Sequence, residues 1–132
     1  MNEEPSTDNF DELITHALEN LPPEFRAQLD SVAIVVDDYP TQGQLQATHS
    51  HGLFGIYEGI PRTAYGAEHV PFASKITLFR GPLEAYSSGA DDLAQRVEDT
   101  LFHEIAHHMG ISDPRLRELE ADRRQRRRRP VR

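Results

Sequence analysis

The first apolar pattern in the chain is typical of an amphipathic helix. Apolar side chains recur at intervals of three and four residues, at Phe10, Leu13, Ile14, Ala17, Leu18 and Leu21. This spacing places all of them on one face of a helix. We expect the helix to end at Pro22 and Pro23, because proline cannot continue the hydrogen-bonded backbone. A short helical turn is expected to follow over residues 24–29.

Later apolar runs favour short β-strands. The predicted strands are residues 32–36, 53–57 and 75–80. The first is a β-branched run between polar pairs, which predicts a buried strand. We expect Gly81 and Pro82 to close the third strand. Segments 39–52 and 61–73 contain glycine and proline and are predicted to be loops.

The longest helical pattern spans residues 90–109. Ser88 is expected to cap its start, and Gly110 is expected to end it because glycine tolerates the left-handed conformation that follows many helices. One side of this helix carries Ala94, Val97, Leu101, Ile105 and His108. We expect this side to pack on the sheet, and His108 to be a buried, hydrogen-bonded histidine.

A last helix is predicted to run from about residue 115 into the arginine-rich tail. Pro114 suits its first turn, and Ser112 or Asp113 is the expected cap. The order of elements contains no internal repeat. It indicates an α+β fold with a small sheet, one long helix and shorter helices around them.

The long helix contains His103-Glu104-Ile105-Ala106-His107, an H-E-x-x-H sequence. Residues four apart on a helix point in the same direction within about 40°, so the two imidazoles can share one metal ion. Glu104 is displaced by about 100° from His103, beside the open coordination position, where a carboxylate can polarise a bound water. The pair also lies away from the expected core face, so one helix can serve both the core and the site.

Zinc in a catalytic site needs a third protein ligand and keeps a fourth position for water. Gly110 would turn the chain back after the helix, so that Asp113, six residues beyond His107, can bring its carboxylate to the ion. Glu118 and Glu120 on the last helix are alternatives for this third position. We favour Asp113 because its return path is short.

Composition narrows the class of protein. The 132 residues suit one domain, and 37% hydrophobic residues suffice for a modest core. The absence of cysteine excludes a disulfide scaffold, a thiolate metal site and a cysteine nucleophile. No apolar run approaches the roughly 18 residues that span a bilayer, so no membrane association is expected. The first residues are acidic where a signal peptide would be basic and then apolar, which favours the cytoplasm.

Charge is distributed unevenly. Seven of the 14 basic residues lie in 123–132, which leaves 7 basic and 22 acidic residues, a net charge of −15, in the first 122. We therefore expect a mobile acidic leader over 1–9, a single domain over 10–122 and a disordered basic tail over 123–132. The tail is a candidate for binding nucleic acid or an acidic partner, although a solvated tail is the favoured interpretation.

On these residues the chain resembles the short bacterial minimal-zincin family of predicted metallopeptidases, which carries an H-E-x-x-H-x-x-G-x-x-D motif. Segment 55–61 and the region 75–83 also resemble that family, so the resemblance covers roughly residues 30–120. The motif is similar to that of the metzincins as well, in which a histidine usually stands at the place of Asp113. No methionine follows Met109, so the chain lacks the Met-turn of the metzincins.

The resemblance implies a small mixed sheet packed on the metal-binding helix. It also implies zinc held by His103, His107 and Asp113, with Glu104 as general base. We therefore predict a zinc-dependent peptidase acting on a peptide or protein, while imidazole and carboxylate ligands also suit other divalent transition metals.

Two other functions are considered. One is a non-catalytic binding module stabilised by metal, and the other is a regulatory peptidase that cuts a partner bound to nucleic acid. His49 and His51 are a candidate second metal pair, with solvent exposure favoured. Tyr57, Tyr65 and Tyr86 are candidate oxyanion donors, with ordinary packing favoured.

Overall fold

The computed structural model describes residues 7–48, 53–59 and 74–128. The helices are α1 (Thr7–Glu19), α2 (Pro23–Arg26), α3 (Gln42–Thr48), α4 (Arg80–Ala85), α5 (Ala90–His108) and α6 (Asp113–Arg128), with a 3₁₀ turn over Leu29–Ser31. The strands are β1 (Ala33–Asp37), β2 (Gly55–Glu58) and β3 (Lys75–Phe79). The α+β prediction is confirmed. Among the described helices, none combines the length and hydrophobicity needed to cross a membrane.

The sheet is mixed, with β3 at its centre. β3 pairs in parallel with β1 and antiparallel with β2, in the order β1-β3-β2. Four consecutive residues of β3, Ile76 to Phe79, are buried. The strand predicted over residues 32–36 is confirmed as β1, but the prediction that this strand is buried is wrong. β1 lies at the edge of the sheet, and Val35 is 37% exposed. β-branched composition predicts a strand but does not fix its place in the sheet.

The core forms where α5 meets α1 and the sheet. The predicted core face of α1 is confirmed for its buried members Phe10, Ile14, Ala17 and Leu21. The predicted face of α5 is confirmed for Val97, Leu101, Ile105 and His108, all with no exposed surface. Ala94, near the start of α5, is only partly buried. The helix that carries the H-E-x-x-H sequence is therefore held along its length by apolar contacts.

Two segments differ from the prediction. Helix α3 lies within the predicted loop 39–52 and starts with a capping box. The Gln44 backbone N–H donates to Thr41 Oγ1 (3.1 Å), and the Thr41 N–H donates to Gln44 Oε1 (2.9 Å). Instead of closing β3 with a turn, Gly81 lies in helix α4, which begins directly after the strand. A Cβ at Gly81 would meet the Tyr39 ring and lie 2.8 Å from the Asp38 backbone carbonyl oxygen, which favours glycine there.

The ends of α5 are set by local hydrogen bonds. Ser88 does not cap the helix. Its backbone N–H instead donates to the Asp92 carboxylate (3.0 Å), and the helix begins at Ala90. At the other end Gly110 has φ 76°, and the Gly110 and Ile111 N–H groups donate to the carbonyls of His107 and Ala106. This is a Schellman motif, and the predicted stop at Gly110 is confirmed.

Helix α6 begins two residues before the predicted start and runs into the arginine-rich segment, as the pattern predicts. The Arg115 N–H donates to Ser112 Oγ (3.3 Å), so Ser112 caps the helix and Asp113 is its first residue. The helix continues to Arg128, so residues 123–128 are helical, in contrast to the predicted disordered tail. At the other terminus α1 begins at Thr7, inside the predicted leader. The predicted loop 61–73, with Tyr65, and the pair His49 and His51 lie outside the described residues.

Candidate metal centre

His103 and His107 lie one turn apart on the exposed side of α5. Their ring centroids are 4.6 Å apart with an interplanar angle of 72°. One donor atom from each histidine and one carboxylate oxygen of Glu104 all lie within 4.8 Å of one another. The imidazoles are 41% and 36% exposed, so solvent or a ligand can reach them. The H-E-x-x-H sequence thus brings together, at the surface, three side chains of the kinds that bind metals.

Glu104 is the buried member of this group, at 8% exposure. Its Oε1 lies 3.2 Å from His107 Nδ1. This hydrogen bond raises the pKa of His107, and the negative charges of Glu104, Asp113 and Glu120 add to the rise, while burial opposes it. Several carboxylates therefore face one imidazole, an arrangement that favours a cation in the space between them.

Helix α6 brings a further carboxylate to the site. Glu120 Oε2 lies 2.6 Å from His103 Nδ1. Glu118 and Glu120 are the alternatives for the third ligand. Glu118 is 67% exposed and pairs with Arg115 (2.9 Å) on its own helix. Of the two, only Glu120 contacts a histidine of the site.

Asp113 lies at the first position of α6, directly after the Gly110 turn, and is exposed. It does not belong to the close group of donor atoms formed by His103, Glu104 and His107. Its charge nevertheless acts on His107 and helps to raise the pKa of that imidazole. The assignment of Asp113 as third ligand stays a prediction.

Charge pairs hold α6 along α5. Arg123 lies 2.6 Å from Glu98 Oε2, and Arg127 lies 2.9 Å from Asp99 Oδ1. These acidic partners precede the histidine pair on α5, whereas the two arginines follow Glu120 on α6, so the helices run antiparallel. Two arginines of the predicted tail therefore bind the acidic surface of the protein itself.

His108 anchors the opposite side of the same helix turn. It has no exposed surface, as predicted, and its Nε2 lies 2.9 Å from Ser31 Oγ. Its Nδ1 lies 3.2 Å from the Tyr57 hydroxyl, which lies 2.9 Å from Ser74 Oγ. Because His107 and His108 are neighbours, these bonds to the sheet and the 3₁₀ turn also fix the backbone that carries the histidine pair.

A family model for zincin-like metallopeptidases matches residues 29–123. The chain belongs to the zincin-like metallopeptidase family. A solved structure of a conserved hypothetical protein from Thermus thermophilus is similar, with 25% sequence identity and a TM-score of 0.53. The match covers 80% of this chain and 94% of that protein. No match was found among curated proteins. The family resemblance and the mixed sheet packed on the long helix are both confirmed.

Proposed function

We propose that this family member is a zinc-dependent peptidase. The observation that carries the proposal is the grouping of His103, Glu104 and His107 donor atoms within 4.8 Å on the exposed side of a firmly packed helix. Membership of the zincin-like family supports the same function. The substrate would be a peptide or protein that reaches the partly exposed imidazoles from solvent.

The donor set fits a divalent cation. Two imidazoles and a carboxylate are ligands that zinc accepts, and they also suit other divalent transition metals. His103, His107 and Asp113 would hold the ion, with Asp113 brought to it by the turn at Gly110. The carboxylates of Glu104 and Glu120 beside the imidazoles add to the attraction for a positive charge.

Zinc, when bound, would strongly lower the pKa of its water, to about 7, and would polarise a carbonyl oxygen. Glu104 would accept the proton of the attacking water and deliver it to the amine that leaves. Its burial suits this task, because little bulk water surrounds the carboxylate to exchange protons with it. One oxygen faces His107, which leaves the second available for the proton.

The test is the substitution Glu104→Gln, which keeps the shape of the side chain and removes its basicity. We expect the variant to bind zinc and to lose hydrolysis of a mixed peptide library by about 10²–10⁴-fold, the usual contribution of a general base. Glu12→Gln, an exposed carboxylate on α1, is the matched control and should retain activity. Full activity in Glu104→Gln would refute the assigned base.

Zinc-binding and cleavage assays on the wild-type protein also distinguish the peptidase from the alternative function, a non-catalytic binding module stabilised by metal. A wild-type protein that binds zinc, unfolds at a lower temperature on chelation, and cleaves no member of the library would support that alternative over the peptidase.

A further inference from the structure

We propose that Glu120 is a positioning residue of the metal site and that Arg123 and Arg127 clamp α6 onto α5 to hold it there. The inference rests on the proposed metal site and extends it from the ligands to the residues that orient them. It also assigns a task to two arginines of the basic segment.

The first observation is the contact between Glu120 and His103. Their 2.6 Å separation is short for a nitrogen–oxygen hydrogen bond, as expected when the acceptor is charged. An imidazole that donates from Nδ1 carries its lone pair on Nε2. Glu120 therefore selects the form of His103 that binds a metal through Nε2, and it fixes the rotation of the ring.

The second observation is that Glu104 makes the equivalent contact with Nδ1 of His107, at 3.2 Å. Both imidazoles of the pair thus have a carboxylate at the same ring nitrogen. The two contacts differ in origin, since Glu104 lies on the same helix as its histidine and Glu120 is 17 residues away from His103 on the next helix. The orientation of His103 consequently depends on how α6 is docked.

The third observation concerns the contacts that hold α6 against α5 near Glu120. Arg123 and Glu98 are 17% and 19% exposed, which makes their 2.6 Å pair less screened than a surface ion pair. The Arg123 guanidinium also lies over the Phe102 ring, 4.3 Å from its centroid. Arg127 and Asp99 add a more exposed pair one turn further along α6. These contacts lie next to Glu120 along the helix and fix its distance from His103.

The test measures zinc affinity by competition with a chromophoric chelator, using the full chain. We expect Glu120→Ala to weaken zinc binding about 10–100-fold, the usual cost of removing such a partner of a metal-binding histidine. The zinc affinity of Glu120→Gln should lie between those of wild type and Glu120→Ala, because the amide oxygen still accepts the hydrogen bond from His103. Asp122→Ala, which removes the same charge two residues further along α6 at an exposed position, should bind like wild type.

Arg123→Ala tests the clamp. We expect it to weaken zinc binding in the same direction as Glu120→Ala, and the two changes combined should cost less than the product of their separate effects. Arg126→Ala is the matched control, because Arg126 pairs with Asp122 on its own helix. Equal zinc affinity in wild type and Arg123→Ala would overturn the clamp.

X-ray absorption of the zinc-loaded variants distinguishes positioning from ligation. Positioning predicts the same number of nitrogen and oxygen neighbours in wild type and Glu120→Ala. Loss of one oxygen neighbour in Glu120→Ala would make Glu120 a ligand and overturn the proposal, as would unchanged affinity. A wild-type chain that takes up no zinc after metal reconstitution would instead refute the proposed function itself, so the two failures are distinguishable.

Discussion

Replacing Gly55 by alanine is expected to destabilise the protein by about 1–3 kcal/mol, because the added methyl group overfills the contact between β2 and α5. A Cβ at this position would lie 2.7 Å from Thr100 Cγ2, 3.1 Å from the Thr77 carbonyl oxygen and 3.3 Å from Leu78 Cδ2. The first distance is too short for a carbon–carbon contact. Either the strand or α5 must therefore move, or the Thr100 side chain must rotate and lose its hydrogen bond to the Arg96 carbonyl; α5 is the helix that carries the histidine pair.

A second substitution, at Thr100, tests whether the contact with Thr100 Cγ2 causes the loss of stability in Gly55→Ala. Thr100→Ser removes the clashing methyl group and keeps the hydroxyl, whose oxygen lies 2.7 Å from the Arg96 carbonyl. Alone it should cost about 0.5–1.5 kcal/mol, as for other losses of one buried methyl. In combination with Gly55→Ala, it should recover part of the first loss. We expect a coupling free energy of about 1 kcal/mol, within the range found for residues in contact.

The assay is thermal and denaturant unfolding of the four proteins, with chelator present so that metal binding does not contribute. For a chain of this length each kcal/mol corresponds to roughly 3–5 °C in Tm. Gly43→Ala is the control, because a Cβ there would meet only Thr41 Oγ1 at 3.9 Å within helix α3, and it should leave stability unchanged or raise it slightly. Strict additivity of Gly55→Ala and Thr100→Ser would refute the clash as the cause.

Two further predictions concern the histidines at the end of α5. Tyr57→Phe removes the hydroxyl that lies 3.2 Å from buried His108 and should lower the free energy of unfolding in urea by about 1–3 kcal/mol. Tyr86→Phe, at an exposed site, is the control and should lower it by less than about 0.5 kcal/mol. Equal losses in the two variants would contradict the role of the bond between Tyr57 and His108. In the metal-free protein, the raised pKa of His107 should add stability that is complete below its ordinary value of about 6.5 and lost as pH rises through the higher folded-state value. The difference in unfolding free energy between wild type and His107→Gln should therefore shrink from pH 6 to pH 9, and a difference that grows would contradict the assigned direction.

The periodic apolar pattern is sufficient to predict the two helices that form the core. In α1 and α5 the spacing of three and four residues singles out faces that are in fact buried. The same reasoning places His103 and His107 on the opposite side, where they lie partly exposed. The buried faces and the position of the histidine pair follow from the regular geometry of a helix, so the local sequence pattern is enough to predict them.

Short elements are harder to predict for a physical reason. Helix α3 has few apolar residues, and its start is encoded by the reciprocal Thr41 and Gln44 capping pair, a four-residue signal that is weak beside the prolines and glycines around it. The Gly81-Pro82 pair is typical of a turn, yet Pro82 lies in the first turn of α4, where its missing N–H is not needed. A tight approach to Tyr39 explains the glycine, and that contact is between residues distant in sequence.

The individual side-chain contacts between α5 and α6 could not be predicted from the local pattern. The bond between His103 and Glu120 depends on the angle at which α6 leaves the Gly110 turn and on the pairs that Arg123 and Arg127 make with α5. A run of arginines without acids is typical of a solvated tail when seen alone. Residues 123–128 are helical here, and the acidic partners of Arg123 and Arg127 lie on a different element, which a local pattern does not contain.

The two helices that form the site are held by different forces, and this explains which of its side chains are already together. α5 is fixed by buried apolar side chains on both flanks, and the cluster of His103, Glu104 and His107 belongs entirely to that helix. α6 buries Leu116 and packs the partly buried Leu119 against the core, and the pairs of Arg123 with Glu98 and of Arg127 with Asp99 complete its docking. The approach of Glu120 to His103 consequently depends on the contacts between α6 and α5, whereas the mutual positions of His103, Glu104 and His107 depend on α5 alone. Loss of the Arg123 pair should therefore disturb the contact between Glu120 and His103 and leave the cluster on α5 in place.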